Sequence, residues 1–381
     1  MSASAFPLVP FSSAMRDCTG GNIKVQRKAY TSDGELPVVD QGQDFIAGYT
    51  QVANQYKGAL PLVLFGDHTR IFKYVDFPFA LGADGVKALE PQEGFDAKFL
   101  FYYFRSVHLP SAGYSRHFKF LKEVLVPKPS LPEQRRIVDL LSRAEGIVRL
   151  RREAEKKAAE LIPALFLDMF GDPATNPKGW PTASIGDLFE VKGGKRLPKG
   201  APYAEEPTAF RYIRGTDIWP DQINTQNLVY LRPEDQATIK RYVVAKGDVV
   251  ITIAGKIGVT APVGDDLVGV NLTENAAMIR PHETESTNAA FLSSMLNSRF
   301  VQRQIETLTG RVTIGKLALE RIRFLKILLP ALSLQAEYVQ RIEQIRAIQS
   351  QQSTATAKAQ AAFDALLAQA FTPAQFNCVP I

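Results

Sequence analysis

A long helical pattern is written twice in this chain. LPEQRRIVDLLSRAEGIVRLRREAEKKAAELIPALFLDMF runs from Leu131 to Phe170, and LSLQAEYVQRIEQIRAIQSQQSTATAKAQAAFDALLAQAF runs from Leu332 to Phe371, 201 positions later. The copies align without a gap. Their apolar positions coincide: Val138 with Val339, Leu141 with Ile342, Ala144 with Ile345, Ile147 with Ile348, Leu165 with Leu366. A repeat of this length constrains the architecture before any local reading does. The 381 residues divide into a globular region over 1–130, a long helix over 131–171, a second globular region over 172–331 and a second long helix with its tail over 332–381. A chain this long exceeds the usual single core, which agrees with two domains.

At 1.5 Å per residue, about 40 residues make a rod of roughly 60 Å. Ile137, Leu141, Ala144 and Val148 in the first copy, and Val339, Ile342, Ile345 and Ile348 in the second, form a narrow apolar stripe suited to helix pairing. Two such helices can pack as an antiparallel coiled coil with a domain at either end. The competing use of the stripe is packing on each helix's own domain. Ser130 with Glu133 makes a capping box at the first helix, and Pro132 is tolerated in its first turn. Gly171 and Pro173 end that helix, Thr372-Pro373 ends the second, and Pro163 kinks the first.

The globular regions correspond more loosely. Phe6-Pro7 matches Trp180-Pro181, Gly20-Gly21 matches Gly193-Gly194, Phe99-Leu100 matches Phe291-Leu292, Gly113 matches Gly310 and Pro129 matches Pro330. The offset grows through the globular part and then stays fixed, so helix length is held while loops differ. Strand-like runs lie at Leu36-Pro37-Val38-Val39, Leu62 to Phe65, Ile71 to Val75 and Asp248 to Ile253, with shorter helices near Ala97–Ser106 and Asn288–Thr307. Pro37 would confine its strand to an edge or a strand start. The expected class is α+β: two α/β domains separated by two long helices, with an internal pseudo-two-fold repeat.

A net charge of +6 biases the chain towards a polyanionic partner without proving one. Cys18 and Cys378 share no metal spacing, which points to a reducing compartment. No run approaches the ~20 apolar residues needed to cross a membrane. The start, MSASAFPLVPFSS, lacks the basic and apolar regions of a signal peptide, so a cytoplasmic location is expected. Gly194-Lys195, Gly255-Lys256 and Gly315-Lys316 lack the following Ser or Thr of a P-loop. There is no His-Glu-x-x-His, no Cys-x-x-Cys and no Pro-Pro, so zinc motifs and the Asn/Asp-Pro-Pro-Tyr loop of amino-methyltransferases are missing. Asp96-Ala97-Lys98 fits a nuclease fragment, but such triplets arise by chance. No catalytic or metal-binding residues are assigned.

The loops carry side chains that bond base edges or phosphates. In the first half these are Gln41 and Gln43, His68, Thr69 and Arg70 in FGDHTR, Lys73, and Tyr114, Arg116 and His117 in GYSRHF. In the second they are Lys195 and Arg196, Arg214, Lys256, and Arg311 with Thr313. FGDHTR and AGKIG occupy equivalent places in the repeat, as do GYSRHF and GRVTIG. Equivalent loops with different side chains suit two related domains reading different sequences. The plainer use of such loops is as solvated turns.

FLDMFGDPATNPKGWP (Phe166–Pro181), the entry PKPSLPEQRRIVDLL (Pro127–Leu141), VLFGDHTRIFKYVDFPFALGADG (Val63–Gly85) and GYSRHFKFLKE (Gly113–Glu123) resemble the DNA-specificity subunit of type I restriction–modification systems, over nearly the whole chain. The resemblance implies two target-recognition domains held by antiparallel helical spacers and no catalysis in this chain. Double-stranded DNA and two methyltransferase subunits are the implied partners, with a motor-nuclease subunit as an optional third. S-adenosylmethionine would sit on the methyltransferase. Ile137, Leu141, Ile147, Val339, Ile342 and Ile348 are the expected partner-binding positions. The first helix is Arg/Lys/Glu-rich and the second Gln/Ala-rich, so the two partner contacts would differ in strength. A specificity subunit of another methylation or phage-defence complex and a coiled-coil scaffold without DNA remain the competing readings.

Overall fold

The computed structural model describes residues 6–82, 85–110, 116–283, 287–309 and 315–371. The chain divides into two compact units, one of Met1–Ala154 with Gln352–Ile381, the other of Glu155–Gln351. Both long helices are cut by this division. Unit 1 takes the first globular region, the start of the first helix and the end of the second. Unit 2 takes the reverse set. The division therefore departs from the four successive segments that the repeat suggests, because each helix end buries its apolar face in a different unit.

Each unit is built on the same frame. Unit 1 has an antiparallel sheet in the order Met15–Asp17, Val86–Pro91, Leu62–Gly66, Phe72–Val75. Unit 2 has the same order: Phe189–Gly193, Ala276–Pro281, Val249–Thr252, Thr260–Pro262. A second, mixed sheet shares a parallel pair, Leu36–Val39 with Ala80–Gly82 in unit 1 and Arg211–Ile213 with Asn271–Leu272 in unit 2. The strand with Pro37 lies inside its sheet and not at an edge, and Pro37 stands at the start of the strand, the other expected placement. Pro37 is tolerated because pairing with Ala80–Gly82 begins only at Val38.

A two-stranded ribbon closes each globular region just before its helix. Leu8–Pro10 pairs with Leu125–Pro127, and Thr182–Ser184 pairs with Lys326–Leu328. The ribbons end alike: the Lys128 amide donates to Pro7 O and the Leu329 amide to Pro181 O, both at 2.8 Å. One buried glutamine then braces each helix start. Gln134 donates to Pro129 O (2.9 Å) and Gly94 O (2.9 Å) and accepts from the Asp96 amide (2.8 Å). Gln335 donates to Pro330 O (2.8 Å) and accepts from the Asn288 amide (2.9 Å). Asp96 and Asn288 in turn cap the helices Ala97–Ser106 and Ala289–Asn297. Asp96 is thus a helix cap and not part of a nuclease motif. The second expected helix is two, Ala289–Asn297 and Arg299–Thr309, parted at extended Ser298.

Gly171 ends the first helix at φ +78, as expected. The break caused by Pro163 falls at Glu160, between Leu131–Ala159 and Leu161–Phe170. Proline lacks the amide that would bond back to residue 159, so the turn before it opens. Thr372 and Pro373 lie outside the described residues.

Four of the six expected partner-binding residues are used internally. Ile137 and Leu141 are buried in the unit 1 core with Phe363, Leu367 and Phe371 from the end of the other helix. Ile342 is buried, and Val339 packs, in the unit 2 core with Phe166 and Phe170. The stripe serves pairing and domain packing together. Ile147 and Ile348 stay exposed.

Candidate nucleic-acid interface

In unit 1 the loops around Gln41, His68 and Arg116 converge. Gln41 Oε1 accepts from the His68 amide (3.2 Å), and Thr69 Oγ1 donates to Gln41 O (2.7 Å). A Cβ at Gly66 would collide with Thr69 Oγ1 and the Gln41 side chain, so only glycine permits this closeness. Buried Asp67 splices the next loop on: its carbonyl accepts from the His117 amide (2.9 Å) and its Oδ1 from the Phe118 amide (2.7 Å). Arg70, held at φ +60, sends Nη1 to Leu109 O (3.2 Å). Gln43, Thr69, Arg70 and Arg116 are exposed.

Two expected contacts here are corrected. Lys73 is 4% exposed, and its ammonium donates to Asp40 O (2.7 Å) and Asp44 O (2.5 Å). Burial lowers its pKa, against the pull of Asp40 and Asp44. It ties down the loop that carries Gln41 and Gln43. His117 is 1% exposed, with Nδ1 at 2.9 Å from Asp67 O. Tyr114, Arg311 and Thr313 lie outside the described residues.

In unit 2 the loops enclose a cleft of about 1670 Å³. Arg196, Arg214 and Lys256 line it, so three of the expected residues meet in one place. They are not equivalent. Arg214 is corrected to a structural role: it grips buried Asp217 with Nε (3.0 Å) and Nη2 (2.8 Å) and also bonds Asn227 O. Arg196 is exposed and pairs with Glu274 at 2.6 Å. Lys256 is exposed, with no hydrogen bond to its ammonium among the described residues. Lys195 is exposed and lies 5.8 Å from the Tyr242 ring centre. Burial pushes Tyr212 up to about 12, so it stays a neutral donor to Lys195 O (3.0 Å).

The cleft also exposes aromatic rings that the charge-based reading missed. Trp219 and Tyr203 are 46% and 43% exposed. Trp219 sits on the hairpin of Ile218–Trp219 with Gln222–Ile223, its indole N–H on Thr216 O (3.2 Å). An exposed tryptophan between Ile218 and Pro220-Asp221, a strand running into a turn, was the available signal. Cationic heads, amide groups and open aromatic faces suit contact with phosphates and bases. Among the described residues, no group of three or more His, Cys, Asp or Glu is placed to hold a metal. Nor is any helix long and apolar enough to cross a membrane.

The frame defines a tandem α/β repeat with basic, glycine-punctuated loops. Residues 177–359 match the family model described as the type I restriction modification DNA specificity domain. The MjaIX specificity subunit of Methanocaldococcus jannaschii is 28% identical over 147 residues, covering 32% of this chain and 34% of that one. The EcoBI specificity subunit of Escherichia coli is 25% identical over 278 residues, covering 66% of this chain and 58% of that one. The matches thus span less than two thirds of either relative. Two solved structures share the fold over almost the whole chain. The S subunit of a type I restriction-modification system from M. genitalium has a TM-score of 0.55 at 14% identity, covering 98% and 97% of the two chains. A chain from a study of type I R-M complex assembly and conformational transition gives 0.58 at 18%, covering 96% and 97%. Residues 177–359, the second globular region with most of its helix, thus match a type I restriction-modification specificity domain, and the relatives found are specificity subunits.

Proposed function

We propose that this chain is the non-catalytic DNA-recognition subunit of a type I restriction-modification complex in the cytoplasm. Each globular region reads one half of a bipartite, asymmetric site. The long helices run as an antiparallel pair, set the unread gap and dock two methyltransferase subunits that bring S-adenosylmethionine. A motor-nuclease subunit is an optional further partner. The observation that carries this reading is one frame used twice with different loop chemistry. Sheet order, ribbon and glutamine brace repeat, while FGDHTR in one copy corresponds to AGKIG in the other. Conserved scaffolding with divergent loops is what reading two unlike half-sites requires. Exposed Ile147, Leu150 and Ile348 are among the apolar helix positions left for protein partners, with Leu131, Leu140, Leu161, Leu167 and Leu332.

Single-molecule methylome sequencing of a host carrying this chain and its genomic neighbours, with and without the chain, tests the reading. A split methyladenine motif that disappears with the chain is the expected result. An unchanged methylome in an active complex would sink it. Within that assay Arg116→Ala should relax only one half-site, and Lys256→Ala or Trp219→Ala only the other. Loss of both halves in any of them would contradict the assignment of one half to each domain.

A further inference from the structure

The two places where a globular region meets its helices are filled differently. In unit 1, Phe363 is 2% exposed, with Tyr102 at 6.4 Å between ring centres and the Arg105 guanidinium at 5.3 Å. The Tyr102 hydroxyl donates to Glu145 (2.8 Å) and meets Ser142 (3.2 Å), and Arg105 bonds the same Glu145 (2.6 Å). Volume and polarity are both satisfied.

At the position of Phe363 in the repeat, unit 2 has Ile162, beside Pro163 and the helix break. A cavity of about 590 Å³ opens there, with Ile162, Pro163, Phe166, Ser294, Ser298 and Tyr338 in its lining. The hydroxyls of Tyr338, Ser294 and Ser298 are buried; Ser294 lies between Tyr338 and the Asp221 carboxyl and interacts with both, while the Ser298 hydroxyl makes no hydrogen bond among the described residues. Tyr338 is 0% exposed and Ser294 7%. A buried hydroxyl without a partner costs roughly 1–3 kcal/mol, so Ser298, with the spare hydrogen-bonding capacity of Ser294 and Tyr338 beside it, favours a polar occupant of the hollow. The volume lies within the usual range of small-molecule sites.

The lining restricts the occupant. Arg299 and Arg346 are balanced by Glu155 and Asp221, so no net charge is presented. Two of these four are also engaged: Arg346 donates to Asp221 O (2.9 Å), and the Asp221 carboxylate accepts from Ser293 (2.7 Å) and Asn297 (3.0 Å). What remains is an apolar wall along Ile162, Pro163 and Phe166, faced by hydroxyls that both donate and accept. We infer that unit 2 holds a binding site for a small, uncharged ring compound with hydrogen-bonding groups on one edge, of phenol to nucleoside size. The occupant bridges the break in the first helix and holds its two pieces in one bend. Binding to the folded state alone raises stability by linkage. The site does not depend on the DNA-recognition reading.

The test uses the full-length chain with phenol, indole and adenosine as probes, read by saturation-transfer NMR and thermal unfolding. At least one probe should bind and raise Tm. Ser298→Leu, which fills the hollow, should weaken that binding tenfold or more, and Tyr338→Phe should weaken it while leaving the volume unchanged. Failure of all three probes to bind would overturn the inference, as would binding undiminished in both variants. A rise in Tm for Ser298→Leu with no probe responding would identify a water-filled cavity only, and would equally overturn it.

Discussion

The junction in unit 1 and the junction in unit 2 begin alike and finish differently. Both start from a ribbon, a glutamine brace and a capped helix. In unit 1 an aromatic ring and a shared carboxylate complete the packing. In unit 2 a proline opens the helix and leaves hydroxyls around a hollow. Backbone frame and side-chain filling are therefore separable. The repeat preserves the first and has let the second diverge.

The largest effect should come from removing the filling ring. Phe363→Ala should cost about 3–5 kcal/mol, as for other buried aromatics. Ile162→Ala should cost about 2 kcal/mol, at the low end for its type, because its surroundings are already open. Equal losses in chemical denaturation would break the contrast. The braces come next. Gln134→Ala strands the Asp96 amide and two carbonyls and should cost roughly 2–3 kcal/mol, with Gln335→Ala costing less because it strands one carbonyl fewer. Hydrogen exchange at the Asp96 and Asn288 amides reports each loss in its own unit.

Smaller still, Tyr102→Phe should cost about 1 kcal/mol, while Tyr338→Phe should cost less, because its hydroxyl has the Ser294 hydroxyl beside it and no carboxylate partner like Glu145. A cost at Tyr338 matching that at Tyr102 would mean its hydroxyl is as well satisfied. The slightest effect is on pH. Burial lifts the Asp221 carboxyl above its ordinary 3.8, against the bonds from Ser293 and Asn297. The folded state therefore prefers the protonated acid. That contribution is whole below the ordinary pKa and is lost as pH rises through the folded value. Asp221→Asn should match or exceed wild-type stability at pH 7, and its advantage should shrink as pH falls. An advantage that grows on acidification would reverse the sign.

The helix repeat, the central strands and the candidate loops could be read from periodicity, glycine placement and residue type. Burial within the loops could not. Lys73 lies in FKYV on the same side of its strand as Val75, between the half-exposed rings of Phe72 and Tyr74. Charge alone marks a lysine in such a run as a surface cation, whereas its alternation with a buried valine points inward. Arg214 looked free until Asp217, three residues on, was seen to hold it. Trp219 carries no charge, so residue charge does not mark it as a contact. The unit boundary was hidden for another reason. A continuous apolar stripe does not reveal that its two ends pack in different units.

That boundary also sets an order in time. Unit 2 is one unbroken stretch, 155–351, whereas unit 1 joins the beginning of the chain to residues beyond 351. Phe371 meets Phe99 at 5.6 Å and Phe363 meets Tyr102, across more than half the length of the chain. On a ribosome, the region made first must wait, its aromatic face still wet, until the last turns of the second helix emerge. The later-made unit has all its parts in hand before then and is free to close ahead of it.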